Sequence, residues 1–345
     1  MKDRQIRVAV NGYGVIGKRV AAAVVRQKDM SLAGVADVVT DWRARMVPKH
    51  GFGLFGATSE HANGMRAAGL EVAGVLDDLL GQADVVVDCT PKRVAAGNLD
   101  VYRRRGLKFI VQGGEKHEVT GHSFVAESNY ATALDREATR VVSCNTTSIV
   151  RTLTALKRAG LLLRARGTLL RRATDPWESH DGGIMNTLVP EPEIPSHQGP
   201  DARSVDPDMD VVTMAVKVPE TLAHLHYWSV QMTRAASKEE VLDAFRTSSR
   251  IALINITDGL VALNSVKELM ADLGRPHDNL YEVALWADML RVQGDELFYA
   301  YMVDNQAIVI PETIDAIRAL VGTTRAGTES IAMTNAALGI GPTLI

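Results

Sequence analysis

The apolar run Ile6-Arg7-Val8-Ala9-Val10-Asn11 breaks directly into Gly12-Tyr13-Gly14-Val15-Ile16-Gly17, and Val15 to Gln27 then carries Val20, Val24 and Val25 at helical spacing. Few folds use a G-x-G-x-x-G turn squeezed between a buried strand and a helix. Gly12 permits the tight turn, Gly14 lets a ligand approach the backbone, and Gly17 lets the helix pack against the strand. The N–H groups of Val15 and Ile16 then lie at the positive end of the helix, where they suit the pyrophosphate of a dinucleotide.

The chain beyond this turn keeps the same pattern. Leu32–Asp37, Ala83–Thr90, Leu107–Gly113 and Thr139–Asn145 read as apolar strands without alternation, and Lys92–Gly106 reads as a helix. Strands of this kind separated by helices form a parallel sheet covered on both faces. Residues 1–143 are therefore read as an α/β domain with a Rossmann-type doubly wound parallel sheet. From residue 144 the pattern changes. A helix over Thr146–Leu162 precedes longer strands at Gly167–Arg172, Asp210–Val218 and His224–Met232. Residues 144–310 are read as an α+β catalytic domain with a mainly antiparallel sheet, and the helices within 311–345 are expected to pack back onto the first domain. Six prolines between Ala173 and Pro207 argue against regular structure there and suit an ordered functional loop or an interface. Ser237-Lys-Glu-Glu240 is a capping box, and Pro311 opens the helix to Val321.

Composition narrows the chemistry. The chain has 345 residues, suited to two domains, and a net charge of −3, which favours neither nucleic acid nor a membrane surface. No apolar run approaches the ~20 residues of a membrane span. The charged N-terminus has no apolar signal region, so a cytoplasmic location is expected. Two cysteines, Cys89 and Cys144, without C-x-x-C spacing fit neither a disulfide framework nor a zinc site, and no metal is expected. Asp37 ends the second strand 20 residues past Gly17, where a carboxylate accepts from both ribose hydroxyls and repels a 2′-phosphate. NAD is thus the expected cofactor, with NADP the alternative if Arg43 and Arg45 receive that phosphate.

Ser143-Cys144-Asn145-Thr146-Thr147 lies where a strand gives way to a helix, with Asn145 or Thr146 as the N-cap. The helix end should lower the Cys144 pKa and make it a nucleophile facing the cleft between the domains. Cys89, after Val85-Val86-Val87, reads as a small buried residue. A nucleophilic thiol needs a base, and His224 and His226 share one strand face. Spacing alone does not choose between them.

Together these residues resemble the archaeal-type (type II) phosphorylating glyceraldehyde-3-phosphate dehydrogenases. The resemblance spans nearly the whole chain and rests on NGYGVIGKRV, QGGEKHEV, RVVSCNTTSIVRTL, LLRRATDP, PSHQGPD, VPETLAHLH and IVIPETIDAIRAL. It implies that Cys144 is the nucleophile and His224 the general base. It implies cofactor contacts at Gly114, Arg172 and Asn305, and substrate contacts at Ser143, Asn145, Arg172, His197, Gln198 and Gly199. It also implies a homotetramer that takes a phosphorylated aldehyde and inorganic phosphate. Of the adjacent pair Arg171 and Arg172, strand alternation allows only one to face the site, and Arg172 is the expected one.

Three positions depart from the family. Gln198 stands where a second histidine is usual, Ala36-Asp37-Val38-Val39 replaces a Lys/Thr-containing stretch, and Asn305 replaces a glutamine. The competing readings are a semialdehyde dehydrogenase acting on a carboxylate-bearing substrate, a variant in which water resolves the thioester, and a non-enzymatic NAD-binding protein.

Overall fold

The computed structural model describes residues 5–112, 114–176 and 186–345. The chain divides into two compact units: residues up to Ser143 together with Ile310–Leu338, and Cys144–Val309 together with Gly339–Ile345.

The first unit is built on β1 (Ile6–Asn11), β2 (Met30–Asp37), β3 (Leu54–Gly56), β4 (Gly74–Val75), β5 (Val85–Asp88), β6 (Lys108–Val111), β7 (Ser123–Phe124) and β8 (Ala138–Val141). Their order is β4-β3-β2-β1-β5-β6-β8-β7, and every neighbouring pair is parallel. Val8, Val10, Val85, Val86, Val87, Phe109, Ile110 and Val111 are all fully buried. That burial on both faces explains why the strands read as unbroken apolar runs. The strand order reverses between β1 and β5, so the glycine-rich turn after β1 and the Cys89-Thr90 segment after β5 lie at the switch point where such sheets bind ligands. This is the doubly wound α/β sheet expected from sequence. The expected strand 107–113 is observed to Val111, and Gly113 lies outside the described residues.

The C-terminal helices Val309–Val321 and Gly327–Leu338 close the first unit. Fully buried Arg318 carries the attachment: its guanidinium donates to Asp29 at 2.7 and 2.8 Å and to Gln27 at 2.8 Å. Arg318 also lies 3.7 Å from buried Asp315, so its charge meets two carboxylates. The last seven residues, beyond these helices, join the second unit. There Leu344 packs with Leu280 and Met302, and the Gly341 N–H donates to Glu282.

The second unit holds β9 (Leu162–Arg172), β10 (Val189–Pro190), β11 (Val211–Val218), β12 (His224–Met232), β13 (Ile251–Ile254), β14 (Val283–Trp286), β15 (Arg291–Gln293) and β16 (Glu296–Val303). The order is β10-β11-β9-β12-β16-β14-β13, with β15 beside β16. All pairs are antiparallel except β11 with β9 and β13 with β14. Alternation along β12 buries His224, His226, Trp228, Val230 and Met232 on one face. The proline-rich stretch contains more regular structure than its composition suggests, namely β10 and the helix Gln198–Arg203, while 177–185 lie outside the described residues.

Candidate active site

The helix Cys144–Arg158 starts at the cysteine itself, not after it. Asn145 and Thr146 are therefore first-turn residues, and the expectation that one of them is the N-cap is corrected. Thr146 Oγ1 instead donates to Asp201 at 2.7 Å, tying this turn to the helix Gln198–Arg203. Cys144 Sγ lies 3.4 Å from His224 Nε2. The two come together because β12 presents His224 on its buried face.

The lowered thiol pKa expected from the helix end also needs correction. Burial raises the Cys144 thiol above its usual range, and the Arg172 charge, the Asn145 N–H and the Arg171 charge oppose it without prevailing. Desolvation outweighs them because a thiolate half-sealed from water loses most of its hydration. Both arginines bear on the sulfur, so strand alternation does not leave Arg172 alone there. A guanidinium sits at the end of a long side chain and is not bound to its Cβ direction. Arg171 pairs with Glu191, and Arg172 pairs with Asp175 at 3.0 Å.

The two β12 histidines part ways. His226 Nε2 meets Asn145 Oδ1 at 2.8 Å and His226 Nδ1 meets the Tyr301 hydroxyl at 2.9 Å. Burial and then Arg171 hold His226 down to about 3, so the ring is neutral. A neutral ring between these partners accepts from the tyrosine and donates to the amide, which fixes the orientation of Asn145. His226 is thus a hydrogen-bonded core histidine. His224 is driven well below its usual value by burial, His226 and the two arginines. Its Nδ1 accepts the Arg172 main-chain N–H at 3.0 Å.

The second unit also holds several polar atoms without partners. Both amide atoms of fully buried Gln198, the Nε of Arg171 and of Arg172, and Asn305 Oδ1 are buried without a hydrogen bond. Buried polar groups rarely stay unpaired, so such a group of donors and acceptors fits a polar ligand. Asn305 Nδ2 meets Asp175 at 3.2 Å. His197 is exposed and faces Glu191 at 3.5 Å, and the Gly199 N–H donates to Thr213 Oγ1 at 3.0 Å. Ser143 is half-buried and closes the first unit. Sequence reasoning missed Asp175, Gln306 and Thr213. Asp175 gathers Arg172, Asn305 and Gln306, while Thr213 bonds Ser196 and Gly199. Only their contacts mark them, since isolated Asp, Gln and Thr residues carry no spacing signal.

In the first unit the glycine-rich turn has a dinucleotide's requirements. Gly12 has φ +94°, and a side chain on Gly17 would meet the Gly12 carbonyl oxygen at 1.8 Å. The space beside Gly14 is open, and no side chain caps the helix Val15–Val24 that begins with Val15 and Ile16. Asp37 Oδ2 accepts the Tyr13 N–H at 2.6 Å and Oδ1 accepts the Val38 N–H at 2.6 Å. Arg43 is held by Asp41, and Arg45 reaches the Ala68 carbonyl at 3.4 Å. Gly114 is exposed, and a side chain there would make only ordinary contact with Lys92. Among the described residues, no group of His, Cys, Asp and Glu is placed to hold a metal.

Comparison with known proteins agrees across the chain. Residues 143–287 match the model for the glyceraldehyde 3-phosphate dehydrogenase C-terminal domain, and residues 6–118 match the dihydrodipicolinate reductase N-terminus. Glyceraldehyde-3-phosphate dehydrogenase of Metallosphaera sedula is 44% identical over 97% of this chain and 98% of its own. The proteins of that name from Methanobrevibacter smithii and Halobacterium salinarum are each 42% identical, covering 96% and 97% of this chain and 99% and 100% of theirs.

Proposed function

Because this chain belongs to the glyceraldehyde-3-phosphate dehydrogenase family, we propose that it oxidises glyceraldehyde 3-phosphate with NAD and inorganic phosphate to 1,3-bisphosphoglycerate, through a thioester on Cys144. The observation that carries this reading is the 3.4 Å approach of Cys144 Sγ to His224 Nε2, with two guanidiniums bearing on the same sulfur. Bound nicotinamide would supply the hydride acceptor. Cys144 forms the S–C bond to the aldehyde carbon, and the carbonyl pair moves onto oxygen. The first-turn N–H groups and the Asn145 amide are the donors for that oxygen, each worth ~3 kcal/mol in a dry site. Phosphate then attacks the thioester, and the C–S bond breaks to return the thiolate. Arg171, Arg172, His197 and Gln198 are the groups for the two phosphates.

Gly12, Gly14 and Gly17, the Val15 and Ile16 N–H groups, Asp37 and Gly114 hold the dinucleotide in this reading, with Arg172 and Asn305 serving its nicotinamide end. NAD is favoured because main-chain N–H groups fix Asp37 while Asp41 occupies Arg43. A homotetramer is supported by one face of the second sheet, where Leu170, Val216, Met214 and Tyr227 leave an apolar surface partly exposed. Two free cysteines suit a cytoplasmic enzyme.

The decisive experiment is an initial-rate assay with glyceraldehyde 3-phosphate, with and without phosphate, using NAD and NADP in parallel. NADH formation that requires phosphate is expected. Phosphate-independent turnover would point to water as the acceptor, and turnover only of a carboxylate-bearing semialdehyde would overturn the substrate assignment.

A further inference from the structure

Three buried side chains of the second unit are joined end to end at the first turn of the helix Cys144–Arg158. His226 on β12 and Tyr301 on β16 are direct cross-strand partners, with ring centroids 4.9 Å apart, and both are fully buried. The Tyr301 hydroxyl meets His226 Nδ1 at 2.9 Å, and His226 Nε2 meets Asn145 Oδ1 at 2.8 Å. A neutral imidazole has one donor and one acceptor, so the chain runs in one of two directions. In the first, the Tyr301 O–H donates to Nδ1 and Nε2–H donates to Asn145 Oδ1. In the second, the Asn145 amide turns over, every bond reverses, and the Tyr301 hydrogen goes to Ser148 Oγ at 3.3 Å. Ser148 spends its own hydrogen on the Asn145 carbonyl at 2.8 Å. The first direction gives the Tyr301 hydrogen to the nearer acceptor. The Trp228 indole N–H, which makes no full hydrogen bond among the described residues, also bears on the Tyr301 oxygen. It can only donate, so it favours the direction in which that oxygen has no second donor to accept.

We propose that Tyr301 and His226 are positioning residues for the oxidation step: they hold Asn145 Oδ1 inward and turn its Nδ2 amino group to the oxygen of the reacting aldehyde. The proposal rests on the thioester reading above. As the Cys144 sulfur adds to the carbonyl carbon, the carbonyl oxygen takes up negative charge. Nδ2–H stabilises that charge, and Oδ1 in its place would repel it. The two orientations of an asparagine amide have nearly the same shape, so packing does not choose between them. The direction of the hydrogen-bond chain does. The chain is buried, where an unmet hydrogen bond is costly and linked bonds reinforce one another, so the choice is firm.

The direction is observable without substrate. With 15N-labelled histidine, His226 should show a protonated Nε2 and an unprotonated Nδ1 at neutral pH, assigned by the resonances lost in His226→Phe. A protonated Nδ1 in the wild-type enzyme overturns the proposal. Tyr301→Phe keeps the ring and removes the donor, so the Nδ1–H form should appear; an unchanged spectrum would mean that Tyr301 does not set the direction. The same variant should lower kcat by about tenfold with KM nearly unchanged, a part of the roughly hundredfold that one oxyanion donor is worth. Alkylation of Cys144 by iodoacetamide develops no oxyanion and should keep its wild-type rate. A parallel loss in turnover and alkylation would show general damage to the site and count against a positioning role. His226→Phe removes the donor to Oδ1 itself and should cost more turnover than Tyr301→Phe. In an Asn145→Ala background both substitutions should become nearly silent, because they act through the amide they orient. Undiminished losses in that background would overturn the proposal. If the tautomer and the double-variant result hold while turnover proves independent of phosphate, or confined to a carboxylate-bearing semialdehyde, the proposed function fails and the positioning role stands, since any aldehyde attacked by Cys144 develops the same oxyanion.

Discussion

Cys89 and Cys144 occupy matching positions in two different units. Each follows the end of a strand of the parallel sheet, each is half-buried, and burial raises the pKa of both. The surroundings then diverge. Beside Cys89 stands Asp88, a carboxylate fixed by Tyr102 at 2.7 Å, Asn98 at 2.9 Å and Thr90, and its charge raises the thiol further. Beside Cys144 the charges of Arg172 and Arg171 and the Asn145 N–H lower it, and the weaker charge of Asp304 raises it. Position at a strand end does not make a nucleophile. What singles out Cys144 in the proposed mechanism is the predominance of positive charge around the sulfur, together with an imidazole in contact.

The largest effect expected from that contrast is on turnover. Cys144→Ser should reduce aldehyde oxidation by ~10⁴-fold or more, as loss of a covalent nucleophile does. Cys89→Ser should leave kcat close to wild type, and a severe loss there would erase the distinction. Next comes the charge around Cys144. Arg172→Ala removes the first of the influences that lower the thiol and keeps the main-chain amide. Alkylation of Cys144 at neutral pH should slow by roughly ten- to a hundredfold, the range expected when a nearby opposite charge is lost. An unchanged rate would mean that the guanidinium does not act on the sulfur. A smaller change of opposite sign is expected from Asp88→Asn. It removes the carboxylate that raises Cys89, and labelling of Cys89 in the pH range where the protein stays folded should accelerate by about tenfold. A slower rate would show that the network around Asp88 matters through packing and not through charge.

How far this contrast could be read from sequence depends on the range of the interaction involved. The glycine-rich turn, the parallel sheet and the choice of Cys144 over Cys89 follow from local patterns: G-x-G-x-x-G after an apolar strand, unbroken β-branched runs, and a cysteine beside Asn145 and Thr146 at a helix start. The pKa of Cys144 does not follow from them. It depends on burial and on Arg171 and Arg172, which lie well beyond the reach of any local pattern along the chain. The division of labour between His224 and His226 was equally closed to spacing. Both lie on one face of β12, and only the 2.8 Å contact with Asn145 and the 3.0 Å contact with the Arg172 amide separate them. Asp175 was invisible for the same reason, since its role exists only through the three side chains it collects.

The smallest effect tests burial alone, at the cysteine that takes no part in the proposed mechanism. The folded protein holds the Cys89 proton well above the usual thiol range. The unfolded chain releases it near pH ~8.5. Between those values the folded state binds more protons than the unfolded state, so the contribution is present below about pH 8.5 and is lost as pH rises. A single group of this kind lowers stability by at most about 1.4 kcal/mol per pH unit. Cys89→Ala removes the titrating group and should therefore lose less stability than wild type between pH 8 and pH 10, measured by urea denaturation at each pH. The variant carries its own penalty from the lost sulfur, but that penalty is independent of pH and cancels in the difference. An identical pH dependence in the two proteins would mean that Cys89 ionises alike in both states, and that burial does not set its pKa.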